Sequence, residues 1–391
     1  MPQDLSTHLI HHPYRPPAGF DAPQGPVHKA STVLFPDVAA MRSRDWRNRD
    51  GYTYGLHGTP TTFALEERIA SLEGGLQCLL VPSGLAAVSL VDLALLSPGD
   101  EVLLPHNVYG PSRELARHEL SRWGVAHRFY DPMDAAALAA MIGPRTRLIW
   151  LEAPGSLTME FPDLKGLVAA ARQHGVLTAL DNTWGAGLAL RGFEHGIDVV
   201  MQALTKFPSG GGDVLMGSVV TRDPALHEKI KLVHMHLGLG VAGNDAELVL
   251  RSLSTLKLRY AAQDASARVL AAWLAQRPEV HRVLHPALHG SPGHEHWAAL
   301  CTEAAGLFSV LLQPQFSVSA VDRFVDSLQL FGIGFSWAGP MSLVMPYDLA
   351  SLRGAAAGLQ GHLVRFSMGF EAVADLQADL QQALEGAFGG G

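Results

Sequence analysis

Between residues 76 and 221 short apolar runs alternate with longer stretches whose apolar residues recur every three or four positions. The short runs, at 78–81, 101–104, 127–130, 146–151, 176–180, 199–204 and 217–221, read as strands. The amphipathic stretches among them, at 85–96, 111–123, 134–142 and 163–174, read as helices. A further helix precedes the series at 62–72, with Phe63, Leu65, Ile69 and Leu72 on one face and Gly74-Gly75 as its stop. Strands that alternate with helices in this way predict an α/β fold. Its core would be a mostly parallel seven-stranded sheet with helices on both faces, because a parallel connection has to cross the sheet. Ligands of such sheets bind at the carboxyl ends of the strands.

The pattern changes on either side. Residues 1–57 are rich in Pro, Gly, Arg and His and weakly periodic, which predicts an extended arm with one short helix near 38–44. Residues 245–277 carry one long helical pattern through Leu248, Leu253, Leu256, Val269 and Leu270, closed by Pro278. That helix leads to a smaller C-terminal α/β unit, with strands at 307–312 and 363–368 and a helix at 320–328. The expected division is an arm (1–57), a large domain (58–250) and a C-terminal domain (251–391), with no internal repeat and a low-complexity glycine triplet at 389–391.

Composition narrows the function classes. The 391 residues include 29 Lys+Arg and 37 Asp+Glu, a formal charge of −8, so a basic nucleic-acid-binding face is not expected. Charged residues make up 17 %, against roughly 25 % in an ordinary soluble domain, a deficit that oligomer interfaces would explain. No apolar run reaches membrane-spanning length, and the first thirty residues lack the apolar segment of an export signal, so a cytoplasmic location is expected. Cys78 and Cys301 read as buried thiols rather than a disulfide framework. His281, His285 and His289 are spaced four apart, but Pro286 breaks a helix there and no thiol or carboxylate joins them, so no metal site is expected.

Four features fall at or just after predicted strand ends. Ser83-Gly84-Leu85 forms a strand-to-helix turn that either caps the helix or lets its N-terminus approach an anion. Asp181, before Asn182 and Thr183, either pairs with a protonated ring nitrogen or caps the next turn. Lys206, after Thr205, is either a surface lysine or an amine whose lowered pKa lets it form a Schiff base with an aldehyde. Tyr109 either covers the mouth of the site or packs under a turn. Lys206 lies 25 residues after Asp181, one strand unit on, and the four features together describe a site for a phosphorylated aromatic aldehyde.

These residues resemble those of the Cys/Met metabolism group of fold-type I pyridoxal-phosphate enzymes, within it most closely the cystathionine β-lyases. The resemblance runs from about 54 to 376. It is strongest at Tyr54-Gly55-Leu56-His57-Gly58-Thr59-Pro60-Thr61, Asp181-Asn182-Thr183-Trp184, 193–198, Thr205-Lys206, Phe335-Ser336-Trp337 and Arg365. It implies pyridoxal 5'-phosphate as cofactor, carried by Lys206, with Asp181 on the pyridine nitrogen and Tyr109 stacked on the ring. Ser83, Gly84, Leu85, Thr183 and Thr205 would line the cofactor and its phosphate. Tyr54 would reach in from a neighbouring subunit, which requires a homo-oligomer, in this family a tetramer built as a dimer of dimers. Arg365 would clamp the substrate carboxylate, with Ser336 and Trp337 alongside.

The implied activity is β-elimination of a small thioether amino acid, L-cystathionine giving homocysteine, pyruvate and ammonia, within methionine biosynthesis by trans-sulfuration. Phe335, where γ-cleaving relatives tend to carry a carboxylate, favours the β reaction. The alternatives are another activity of the family (a cysteine desulfhydrase, a γ-lyase or a γ-replacement synthase) or a non-catalytic protein that kept the fold. The chain departs from the family at Leu56, where an arginine is usual. A phosphate contact is then missing or supplied by His57 or Arg49. It departs again at Gly211-Gly212-Asp213, where His-Ser-Asp is usual, and at Met341-Ser342-Leu343, where Glu-Ser-Leu is usual.

Overall fold

The computed structural model describes residues 5–11, 18–19, 22–47, 51–349 and 358–389; Arg49 and the last two glycines lie outside them. Seven strands form the main sheet: β1 Gln77–Val81, β2 Glu101–Pro105, β3 Ala126–Tyr130, β4 Thr146–Glu152, β5 Leu177–Asp181, β6 Val199–Gln202 and β7 Gly217–Thr221. Their spatial order is β1-β7-β6-β5-β4-β2-β3. All neighbours are parallel except along β7, which runs antiparallel to both β1 and β6. The sheet is therefore mixed through one strand. Alternate residues serve opposite faces. Leu79, Val81, Val102, Leu104, Leu148 and Trp150 pack in one apolar cluster with the helix Gly84–Leu95, and Leu80, Leu103, Ile149 and Leu151 in another with Leu65, Ile69, Leu164 and Leu167. Burial on both faces is why these strands read as continuous apolar runs.

A second sheet of five strands, β8 Val280–Leu284, β9 Leu307–Leu312, β10 Gly332–Ile333, β11 Leu343–Tyr347 and β12 His362–Ser367, has the order β10-β11-β12-β9-β8. β8, β10 and β11 were not expected from the sequence; β10 is two residues long, Pro346 masks β11, and His281 and Arg282 interrupt β8. The helices Leu5–Ile10, Pro224–Leu237, His294–Leu300 and Val373–Phe388 were also missed. One of them carried full local signals, with Asp223 accepting from the N–H groups of Ala225 and Leu226, Pro224 at the first turn and Gly238 in the left-handed region.

The single helix expected over 245–277 is two, Gly243–Leu253 and Leu256–Leu274. Between them the hydroxyls of Ser254 and Thr255 bond back to the carbonyls of Arg251 and Ser252, and Arg259 Nη2 takes the Ser252 carbonyl at 3.0 Å. Those bonds replace the helical ladder. The expected helix 111–123 is α-helical over Gly110–Glu114 and widens to a π-turn over Leu115–Leu120. In the arm, Val38–Arg42 is helical, capped by Asp37.

Among the described residues no helix is long and apolar enough to cross a membrane. Both cysteines are free and buried. His285 is buried, its Nδ1 accepts the Ala287 N–H at 3.1 Å, and burial pushes its pKa down to about 3.

Candidate active site

Parallel strands put the carboxyl ends of β1, β2, β4, β5 and β6 on one edge of the sheet, and the predicted residues gather there. After β1, Ser83 caps the helix Gly84–Leu95, its hydroxyl accepting the Ala86 N–H at 3.1 Å. Gly84 is required by packing, since a Cβ there would lie 2.7 Å from the Cβ of Ala203. The cap and the open helix N-terminus occur together, so the two readings of this turn do not exclude each other.

Asp181 ends β5. Its Oδ1 accepts the N–H of Thr183 at 3.0 Å and the hydroxyl of Thr183 at 2.5 Å, and the Thr183 hydroxyl in turn accepts the Ala203 N–H at 2.9 Å. Thr183 thereby ties Asp181 to the chain leaving β6. Burial raises the Asp181 pKa, opposed first by the Thr183 bonds and then by Lys206. Glu152, directly opposite Asp181 in the β4–β5 register, accepts the Tyr109 N–H at 2.7 Å. It is buried and its pKa is raised well above the carboxylate range, by burial first and then by Asp181. Tyr109 is 45 % exposed and starts the helix Gly110–Glu114, with its pKa raised by burial and by both carboxylates.

Lys206 follows β6 in a tight turn. Its Nζ donates to the Ser336 hydroxyl at 2.5 Å and sits 5.6 Å from the centre of the Trp337 ring. Burial, then Arg365, lower its pKa to about 8, with Asp181 acting the other way. Arg365, on β12, donates from Nη2 to the Ser336 carbonyl at 3.1 Å and lies 5.3 Å from the Tyr347 ring. Ser336 holds both cations from a left-handed backbone at φ 98°, an uncommon conformation for a residue with a Cβ. The Thr205 hydroxyl donates to the Met216 carbonyl at 3.2 Å and accepts the Met216 N–H at 3.0 Å.

Tyr54 stands apart. It bridges to Thr32 within the arm, is 47 % exposed, and lies edge-on to His57 with ring centres 5.9 Å apart. Leu56 turns inward, its methyl against Gly240, beside a cavity that also touches His57, Lys231 and His234.

Four residues of this neighbourhood were not read from the sequence. Glu152 carries the same signal as Asp181, an acid ending an apolar strand, and was open to discovery on that ground. Tyr347 and Glu73, below, carry no such mark. Arg259 braces the lysine loop from behind, donating from Nη1 to the Phe207 carbonyl at 2.8 Å, and burial lowers its pKa to about 10. Gly210, at φ 64°, leaves it room, since a Cβ there would fall 1.8 Å from that guanidinium. This accounts for a glycine at that point of the loop.

An α/β enzyme working through an aldehyde cofactor is the class to which this fold and this grouping of lysine, carboxylates and arginine point. The chain belongs to the Cys/Met metabolism PLP-dependent enzyme family, which it matches over residues 6–385. Among curated relatives, the cystathionine beta-lyase of Bordetella avium is 41% identical over 387 residues, covering 97% of this chain and 96% of its own. The cystathionine beta-lyase of Escherichia coli K12 is 36% identical over 361 residues, covering 90% and 91%. A solved structure of cystathionine gamma synthase from Xanthomonas oryzae pv. oryzae, in complex with aminoacrylate and cysteine, matches with a TM-score of 0.90 at 30% identity over 99% of each chain. The family cofactor is pyridoxal 5'-phosphate, and the donor set fits it: one amine with a lowered pKa, a carboxylate at the adjoining strand end, and a helix N-terminus whose first residue lacks a Cβ.

Proposed function

We propose that the protein is a carbon–sulfur lyase that cleaves L-cystathionine by β-elimination to homocysteine, pyruvate and ammonia. The observation that carries this reading is the pair of cations held by Ser336, a lysine amine of lowered pKa and a half-buried guanidinium on the same residue. Arg365 binds the substrate α-carboxylate through its planar fork. Lys206 Nζ, once free, takes the proton from Cα and delivers one to the departing sulfur, and the Ser336 hydroxyl aims the amine between those positions. When bound, the cofactor supplies the electron sink that makes the Cα proton removable. Asp181 would pair with its ring nitrogen and Tyr109 would cover its ring. Ser83, Gly84, Leu85, Thr183 and Thr205 would line the cofactor, with Gly84, Leu85 and Thr205 at its phosphate. Trp337 walls the substrate side, and the aromatic Phe335 before it supports the β over the γ reaction.

Tyr54 serves a neighbour's site in this reading, so the working unit is a homo-oligomer, a cytoplasmic tetramer made of two active dimers. The arm 1–57, large domain 58–250 and C-terminal domain 251–391 are its parts; two separate sheets support that division.

Incubation with cystathionine tests the chemistry. Pyruvate plus homocysteine are expected, whereas 2-oxobutyrate plus cysteine would assign γ-cleavage. Purified protein should be yellow and lose its visible band in Lys206→Ala; a chain that stays colourless with added cofactor would be a non-catalytic member of the family.

A further inference from the structure

Behind Asp181 lies a buried polar cluster that the chemistry above does not use. Glu73, at the end of the helix Pro60–Glu73, has no exposed surface. Its carboxylate accepts the side-chain N–H groups of Asn182, at 2.8 Å, and of Gln202. Asn182 follows Asp181 in the chain, and its Nδ2 also donates to the Leu190 carbonyl at 2.9 Å. Gln202 is the last residue of β6, on the strand that leads to Lys206. Two oxygens here, Asn182 Oδ1 and Gln202 Oε1, are buried with no donor among the described residues. Buried amide oxygens are seldom left so.

The charged groups acting on Glu73 are Asp181, which favours its protonation, and Arg191, which opposes it. Arg222, packed at the same helix end, gives its Nε–H to the Gly74 carbonyl at 2.7 Å. Burial outweighs the two amide donors and Arg191 and pushes the Glu73 carboxyl up to about 7.

We infer that Glu73 is a positioning residue for the cofactor. It clamps the ends of β5 and β6 through Asn182 and Gln202, and its ionisation sets the field at Asp181. The inference rests on the reading of Asp181 as partner of the ring nitrogen. An ionised Glu73 adds negative charge behind Asp181 in a poorly polarisable interior and strengthens its hold on a ring proton; a protonated Glu73 relaxes it.

The test is a pH titration of the visible band of the holoenzyme, with infrared difference spectra of the carboxyl stretch over the same range. The parent should show a step near pH 7 in both signals. Glu73→Gln, the same shape without the charge, should lose both steps, and above pH 8 its kcat should fall on the order of threefold with KM unchanged. Glu73→Asp, which keeps the acid and covers failure of the glutamine variant to fold, should move both steps together. Steps that stay in place in these variants, or a parent with none, would overturn the inference. Asp181→Asn separates it from the reading beneath it. Parent-like activity in that variant sinks the pairing of Asp181 with the ring, whereas an inactive Asp181→Asn beside a parent-like Glu73→Gln sinks the role of Glu73 alone.

Discussion

Lys206 draws its reactivity from where its amine is placed. Burial and the Arg365 guanidinium disfavour its charged form more than Asp181 restores it, and the balance leaves a pKa of about 8 in place of 10.5. Only the neutral amine attacks an aldehyde. In cofactor-free protein, the rate of colour development on adding pyridoxal phosphate should therefore rise with pH and level off above about 8. A rise that continues to pH 10 would describe an ordinary surface lysine. The sequence singles out this lysine because an amine just after an apolar strand is rare. Its partner was not, since Ser336 is separated from it by 130 residues.

At the scale of elements, the strand-to-helix turn after β1 depends on contact with the turn after β6. A methyl group on Gly84 would press on Ala203, whose Cβ has no rotamer to move to. Gly84→Ala is expected to cost about 1–3 kcal/mol of stability and to weaken cofactor binding, read from thermal unfolding with and without pyridoxal phosphate. The arm element offers the opposite change. Leu56 packs its methyl against Gly240, which leaves no room there for a guanidinium. An arginine at 56 would turn outward, so Leu56→Arg should tighten the cofactor Kd by roughly tenfold through a charge-assisted phosphate contact. An unchanged Kd on equilibrium dialysis would mean that no phosphate lies within its reach. The break at Ser254 shows the limit of reading elements from periodicity alone. The apolar spacing continues across it, and the hydroxyl-to-carbonyl bonds that end the ladder depend on Arg259 folding back.

For the whole molecule, the low charge fraction and the exposed apolar side chains of the arm, Leu34, Val38 and Tyr54, belong together. A surface of this kind is what the proposed permanent interface between copies would cover. If each site takes Lys206 from one subunit and Tyr54 from the other, Lys206→Ala and Tyr54→Phe chains are each impaired alone. Refolded together in equal amounts they should recover about a quarter of parental activity, since half of the dimers are hybrids and each hybrid has one intact site. No recovery on mixing would place Tyr54 outside the neighbour's site.

The seven strands of the main sheet and the helices among them, the places of Asp181 and Lys206 at or just after two of those strands, and the family itself were determined by the sequence. These rest on local periodicity and on residues a few positions apart. The antiparallel course of β7 was decided only by the tertiary structure, because a strand buried on both faces presents the same apolar run in either direction. The same holds for the brace of Arg259, the two cations on Ser336, and the carboxyls of Glu73 and Glu152 flanking Asp181. Each of these joins segments distant in the chain, and the burial that shifts a pKa belongs to the packed molecule rather than to any stretch of it.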